Sequence, residues 1–580
     1  MTKYQKYFSA LLTLLFGGAV LLFFGLAYPY HIHYQEQYQL FEWTGAYFLD
    51  IFRAPGGLAD WLGRFLTQFF YYAWAGAAIL AVLLVAVQLL VWKLCSEKNL
   101  VTYVFSLVPS VALWVALLDE NILPGAVVAV ILSLAAAAAV LALKRRTMRR
   151  AVGLLAVPLL YWLCGPLAVV YVGVVAFRER KLWFPVASVL LLAACPFVAQ
   201  LLCAYPLERL VIGVHYHRFR NIFALRVFVS AALCIAVVAV SAARWPDSRA
   251  RTDWWVGAGV AAFIGALAAG LVVGLGNSLL EEQMKYDFLL RMKMYNRLMM
   301  TSDRKQPSTP FAVACLNVAL AHSDRMSSSM FEYFQNGPDG LLPEFKREYF
   351  VPLATAEAYW EMGMVNTAQR FVFEAQEAIP DYQKSGRCYR RLAETNIVNG
   401  DYAVARKYLY ALENTIFYRK WARETLGLLD AGSPEAVEAA VNSHPEYGRM
   451  RSLRLHDHDF FFSDSEMDSM LGLLLVENPA NRAAFDYLLG WCLLKKDLGR
   501  FLQCLQLVNY SVMPKAYQEA CVLQMALSQP DASGVPPFID RRIVGAMEQF
   551  VADSRAGRDE SWMSARYGRT YWFYYFYRYK

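Results

Sequence analysis

The first 280 residues are a succession of apolar runs separated by short polar joints. A helix needs about 20 predominantly apolar residues to cross roughly 30 Å of hydrocarbon. Nine runs approach that pattern: 8–28, 73–92, 100–118, 122–143, 151–164, 165–177, 183–203, 222–243 and 254–276. The fifth and sixth are too short to cross alone and meet at Cys164-Gly165-Pro166. They predict a broken helical hairpin whose tip reaches protein-lined or wet space, because bare backbone is too costly in lipid. A single kinked helix at that point would give eight spans. Tyr28, Tyr30, Tyr71, Tyr72, Trp92 and Trp183 stand at run ends, as an interfacial aromatic belt does. The first run is too long for the apolar core of a cleaved signal, roughly 7–15 residues, so it reads as a retained span.

The pattern changes after residue 280. Glu281, Glu282, Lys285 and Asp287 predict a solvated helical stalk over 281–308. From 309 to 555 the chain reads as helical pairs with short breaks. A shift of 37 residues aligns Ala356 with Ala393, Gly363 with Gly400, Ala368 with Ala405, Phe371 with Tyr408 and Ile379 with Ile416. Small residues recur where helices cross, glycine at the turn and bulky residues on the buried face. This resembles the tetratricopeptide repeat. Ala356, Gly363, Ala368, Ala375 and Pro380 fit its order in one copy, and Ala393, Gly400, Tyr402 and Ala405 in the next. A degenerate third copy lies at 483–508. Stacked helix pairs offer a concave face to peptides, or serve as a spacer. The last ten residues hold eight aromatic side chains, and 556–580 reads as a docking segment on the bundle or at the bilayer surface.

The expected fold is therefore all-α: a polytopic bundle of about nine spans over 1–280, with a long first external loop at 29–72, followed by an extracytoplasmic α-solenoid. Composition agrees, with 57% hydrophobic and 18% charged residues, against roughly 45–50% and 25% for soluble chains. A cytosolic enzyme, a disordered chain and a nucleic-acid binder driven by net charge are excluded. Charge also gives direction. With the N-terminus inside, 15 loop cations fall on the cytoplasmic side, among them Lys93, Lys144, Arg146, Arg150 and Arg178, and 5 on the other. With nine spans the positive-inside rule puts residues 281–580 outside the cytoplasm, whereas eight would put them inside and break the charge pattern after the hairpin. Ten cysteines without a CxxC pair leave one or two disulfides or buried thiols as alternatives.

Candidate chemistry concentrates in two loops on one side. The first carries Glu36, Glu42, Asp50 and Asp60 with Arg53 and Arg64. Glu36, Gln39, Trp43 and Ala46–Tyr47 are spaced as an amphipathic helix on the interface, broken at Pro55-Gly56-Gly57 and followed by a second over 58–72. Carboxylates at membrane level are costly unless paired or used, and Arg53 and Arg64 are the pairing alternative. Glu36, Glu42 and Asp50 are the candidate catalytic carboxylates, with Asp60 set behind them. The fourth external loop supplies Arg209, His215, His217, Arg218 and Arg220, with Arg226 just inside the next span. Guanidinium forks suit phosphate, and a snorkelling basic rim is the alternative. His456-Asp457-His458-Asp459 reads as a solvated loop, and no metal ligands are assigned.

The run QEQYQLFEWTGAYFLDIF with PGGLADWLGRFLTQFF, and the closing TYWFYYF, resemble a family of Bacteroidota inner-membrane proteins with a multi-span N-terminal half and a repeat-like C-terminal half. The architecture is also similar to that of C-type glycosyltransferases. That resemblance implies a glycosyl or oligosaccharyl transferase using a polyprenyl-phosphate-linked sugar as donor, with room for a divalent metal. Its catalytic carboxylates would sit on the first external loop, and the repeats would hold a protein or glycan acceptor. The family's DxD-like pair is not matched by Glu36 with Glu42. The alternative is a non-catalytic membrane scaffold recruiting envelope proteins for export or assembly. A transporter ranks last, since paired broken helices in corresponding halves are not seen. Expected partners are the bilayer, a polyprenyl-linked glycan and a periplasmic protein or peptide, with no nucleic acid.

Overall fold

A computed structural model of the chain describes residues 3–179, 182–219, 222–242, 250–343, 350–380, 383–430, 432–455, 467–508, 510–528 and 536–578. Among these residues the fold is all-helical, with no strand and a single isolated antiparallel bridge between Ile122 and His217. The chain divides into two compact units, Met1–Glu281 with Asn414–Arg419, and Glu282–Glu413 with Lys420–Lys580.

The first unit runs α1 (Lys3–Leu22), α2 (Pro29–Gln37), α3 (Gly45–Phe52), α4 (Gly57–Thr67), α5 (Ala73–Leu94), α6 (Leu100–Phe105), α7 (Val108–Ala116) and α8 (Pro124–Leu141). It continues with α9 (Arg146–Cys164), α10 (Val169–Arg178), α11 (Trp183–Gln200), α12 (Leu207–Ile212), α13 (Leu225–Ser241) and α14 (Ala250–Leu275). Six helical stretches among the described residues are long and apolar enough to cross a membrane: Lys3–Ala27, Ala73–Leu94, Pro124–Leu141, Arg146–Arg178, Trp183–Gln200 and Trp254–Leu275. Leu100–Ala116 and Leu225–Ser241 are apolar but shorter.

Arg146–Arg178 is continuous in composition but not in direction. Glu179 bonds Arg149 at 2.5 Å and Arg150 at 3.0 Å, and the Tyr171 hydroxyl donates to the Gly153 carbonyl at 2.9 Å. A straight helix at 1.5 Å per residue would hold Arg149 and Glu179 about 45 Å apart, so α9 and α10 form a hairpin. Its reversal is at Gly165, whose φ of 69° suits a residue without Cβ. The tip is covered by protein: Gly56 N donates to Trp162 O at 2.8 Å, and Tyr216 bonds both Cys164 O and Leu167 N. A second close approach joins α4 to α8, where a Cβ on Gly63 would overlap the Gly125 backbone.

The first long loop departs from the expected helix over Glu36–Tyr47. Helix α2 ends at Gln37, residues 39–43 are non-helical, and α3 starts only after Thr44, whose hydroxyl caps Tyr47 N. The reason is tertiary. Gln39 Nε2 donates to Arg64 O at 2.8 Å and Trp43 N to Asn414 O at 2.8 Å, bonds that a continuous helix would forfeit. The break at Pro55-Gly56-Gly57 is where the spacing put it, and α4 follows.

In the second unit the helices Phe350–Glu361 and Val365–Glu377 form one pair, and Gly386–Asn399 and Tyr402–Glu413 another. Gly363 and Gly400 turn the two pairs with φ of 78° and 86°. Ala356, Ala368, Ala393 and Ala405 are buried between helices. Ile416 breaks the 37-residue correspondence: it is exposed, whereas Ile379 is buried, because 414–419 belongs with the first unit. The helices Arg482–Leu494 and Leu498–Leu505 form a further pair. Two expectations are corrected. Glu281 and Asp287 are not solvated: the first accepts from Tyr30 N and His31 N at 2.8 and 3.0 Å, the second holds Arg387 at 2.7 Å, and both are buried. The aromatic terminus is no separate segment. Tyr571, Trp572, Phe573 and Tyr574 are core residues of this unit, with the Tyr571 and Tyr574 hydroxyls on the Leu493 and Leu494 carbonyls.

Candidate functional site

Three loops of the first unit are tied together by their backbones. Helix α2 opens with Pro29 at its first turn and leaves Tyr30 N and His31 N for the Glu281 carboxylate. Further along α2, Gln35 Nε2 donates to Glu120 O and Ile122 O, both at 3.2 Å. The 213–219 segment then pairs with 121–123, through Leu123 N to Tyr216 O at 3.1 Å and Arg218 N to Asn121 O at 2.9 Å. The sequence runs that end at Leu118 and begin at Ile122 thus pin the joint Asp119-Glu120-Asn121 between α2 and the 213–219 segment.

A polar cluster results. The Arg218 guanidinium lies 3.4 Å from the Tyr38 ring centroid and 6.0 Å from that of Tyr34, and the two tyrosine hydroxyls bond each other. His217 Nε2 is 3.6 Å from Asp119 Oδ2. Burial, opposed by Asp119 and reinforced by Arg218, lowers His31 to about 4, so its imidazole is neutral at pH 7. Burial and the neighbouring Asp119 raise Glu120 above the usual carboxylate range against the pull of Arg218. Asp119 moves the other way: burial would raise it, but bonds from His217 and the Asn121 backbone bring it below its ordinary value. Two adjacent carboxyls are thus shifted in opposite directions by their surroundings, the kind of divergence that separates acid from base roles.

Alongside lies a closed brace. Asp60 on α4 takes Arg64 at 2.9 Å and His215 at 3.5 Å, and is 2% exposed. Arg209 Nη2 donates to Val214 O at 2.6 Å within the same loop.

Of the residues expected from the sequence, Arg209, His215, His217 and Arg218 come together here. The carboxylates do not. Glu36 is buried and accepts from the Tyr418 hydroxyl at 3.0 Å, beside the Tyr71–Phe417 ring stack. Asp50 pairs with Arg53 on the open surface, Glu42 is half-buried near Tyr47, and Arg226 is exposed on α13. Arg220 and the run His456-Asp457-His458-Asp459 lie outside the described residues. The sequence reading missed Asp119 and Glu120, whose signal was an adjacent acidic pair in a three-residue joint between two apolar runs. It also missed His31 and underrated Asp60. Among the described residues no group of three or more His, Cys, Asp or Glu side chains is arranged to hold a metal ion.

The chain belongs to a family of unknown function (DUF6057), whose model matches residues 3–578. Comparison with curated proteins and with solved structures finds no match.

Proposed function

We propose that this member of the family is a multi-spanning envelope protein that transfers a glycosyl group from a polyprenyl-phosphate donor at the external face of the inner membrane. The observation that carries the reading is the convergence of Asp119, Glu120, His31 and Arg218 around the Tyr34–Tyr38 pair. Ionisable groups at membrane level are costly and are kept where they work or pair. In this reading Glu120 accepts the proton of the acceptor hydroxyl as its oxygen bonds the anomeric carbon. The anomeric carbon–oxygen bond to the lipid phosphate breaks, and Arg218 neutralises the departing phosphate. Asp119, held ionised by His217, stabilises positive charge at the anomeric carbon. Neutral His31 orients the donor.

The placement rests on loop charge. All three loops that build the cluster lie on the cation-poor side when the N-terminus is cytoplasmic, as do residues 281–580 if nine spans are crossed. The helix pairs of the second unit are read as tetratricopeptide-like repeats. Their buried alanines and positive-φ turn glycines support this, and they would present the acceptor.

A second reading is favoured by a specific observation: Asp60, Arg64 and His215 satisfy one another, and Glu36 is engaged by Tyr418. A scaffold would need such braces and no turnover. Comparing Glu120→Gln and Arg218→Ala for membrane abundance and for lipid-linked glycan turnover separates the two. The transferase reading expects normal abundance with turnover reduced by about 10² or more. Normal turnover at normal abundance in both variants would leave the scaffold.

A further inference from the structure

The aromatic terminus does more than fill the core of the second unit; it also walls a groove. The helix Tyr571–Tyr577 starts at Thr570, whose hydroxyl accepts from Phe573 N, and is anchored by the Tyr571 and Tyr574 hydroxyls on the Leu493 and Leu494 carbonyls. The chain leaves it at Arg578 in an extended conformation, with φ of −109° and ψ of 159°. The turn Met330–Glu332 likewise opens into extended backbone at Tyr333. Between these two segments, the loop 306–308 and the end of the helix Glu560–Tyr567 lies a cavity of about 420 Å³. Ligand clefts run from roughly 300 to 1,000 Å³, so this one admits a short peptide segment and no folded partner. Its lining combines two chemistries. Phe331 and Phe573 are buried and Phe334 is half-buried, which makes the inner wall aromatic. The Arg578 guanidinium lies 5.2 Å from the Phe573 ring centroid and 5.8 Å from that of Phe334. Its ion pair with Glu560, at 3.7 Å, uses a carboxylate that is 61% exposed, and such surface pairs are worth little. Arg569 is exposed and, among the described residues, forms no ion pair. Glu332 is the one carboxylate among the described lining residues, and Lys515 offsets it at 3.6 Å. The groove thus presents net positive charge beside apolar surface.

We propose that this groove binds an extended peptide segment carrying a carboxylate next to an aromatic side chain. The site is separate from the cluster of the first unit and stands whichever of the transferase and scaffold readings holds. The aromatic side chain packs against Phe331, Phe334 and Phe573. The carboxylate takes Arg569 and Arg578, whose guanidinium forks make charge-assisted bonds to it. A free inorganic anion would use the cations and leave the aromatic wall in water. An acyl chain would use the wall and strip water from the guanidiniums without replacing it, which is costly. A peptide of this composition satisfies both. Gln306, exposed at the rim, accepts from Phe334 N through Oε1 at 2.8 Å, which leaves its amide nitrogen to donate to a peptide carbonyl.

The test is fluorescence anisotropy with the full chain in phosphatidylcholine nanodiscs, empty nanodiscs serving as the blank. The probe is a short fluorescein-labelled peptide of alternating Asp and Phe, compared with Asn-Phe, Asp-Ala and Lys-Phe peptides of equal length. The parent should bind the Asp-Phe peptide saturably and the Asn-Phe and Asp-Ala peptides about tenfold or more weakly. Arg569→Glu changes an exposed residue and should keep the parent's melting temperature. It should lose the Asp-Phe peptide to the same degree and gain affinity for the Lys-Phe peptide. N-acetylaspartate at the peptide's concentration should displace nothing. No saturable binding by the folded parent, equal binding of all four peptides, or equal binding of the Asp-Phe peptide by Arg569→Glu would overturn the proposal. Displacement by N-acetylaspartate alone would also overturn it, by making the groove a site for small acids.

Discussion

At the residue scale, the charged side chains of the first unit divide into those that close on each other and those that gather around an open chemical asymmetry. Asp60 belongs to the first group. With Arg64 at 2.9 Å and His215 at 3.5 Å in a buried setting, removing its charge strands a guanidinium. Breaking such a pair costs about 3–5 kcal/mol, so Asp60→Asn should lower membrane abundance and melting temperature together. Glu120→Gln should leave both near the parent values. A fall in abundance for Glu120→Gln equal to that of Asp60→Asn would return Glu120 to the brace. In the second unit, burial, opposed by Arg482, raises Asp486 to about 6 while Tyr517 donates to it at 3.1 Å. A carboxyl with a raised folded-state pKa stabilises fully below its unfolded value of about 4 and loses that contribution as pH rises through about 6. The parent should therefore lose up to about 3 kcal/mol between those limits, and Asp486→Asn should flatten that slope in a melting series. Sparse cations in one loop made Arg218 and both loop histidines conspicuous in the sequence, and the fold packs Arg218 on Tyr38 and sets His217 beside Asp119. Asp119-Glu120 was passed over because an acidic pair in a three-residue joint carries no sign of the distant neighbours it gains, Gln35, His217 and Arg218.

At the element scale, what was legible depended on whether local chemistry or a distant partner decided the backbone. The reversal after Cys164 could be read because Gly-Pro ends a helix wherever it falls. The turns at Gly363 and Gly400 could be read because a shared small-residue order survives in both copies. Residues 38–44 could not. Their spacing is helical, but the Arg64 and Asn414 carbonyls, far away in sequence, claim the donors of Gln39 and Trp43. Substitutions should report the same distinction. Ala368→Trp or Ala405→Trp should destabilise the second unit by about 1–3 kcal/mol through overpacking, read by chemical denaturation. Unchanged midpoints would make the 37-residue correspondence accidental. Gly63→Val should separate α4 from α8, since its Cβ would fall on the Gly125 backbone. Because α4 carries Asp60, the variant should lose abundance as Asp60→Asn does, which a quantitative membrane blot checks.

At the scale of the whole molecule, the division into an apolar and a soluble-type helical half was legible from composition, because residues 1–280 hold 11 of the 48 acidic residues. The unit boundary was legible only in part. Residues 414–419, in the middle of the repeat-like half, count with the first unit, and no compositional shift marks them. The proposed orientation predicts that a phosphatase fusion at Arg304 is active and one at Arg146 inactive. The reverse pattern, or activity at both, would remove the external placement. The central claim, that the Asp119–Glu120–Arg218 cluster handles a lipid phosphate, is tested most directly by saturation binding of a radiolabelled polyprenyl phosphate to the full chain in nanodiscs. The account predicts saturable binding by the parent, retained by Glu36→Gln and weakened at least tenfold by Arg218→Ala at matched protein recovery. Equal binding by the parent and Arg218→Ala, or none by the folded parent, would contradict it.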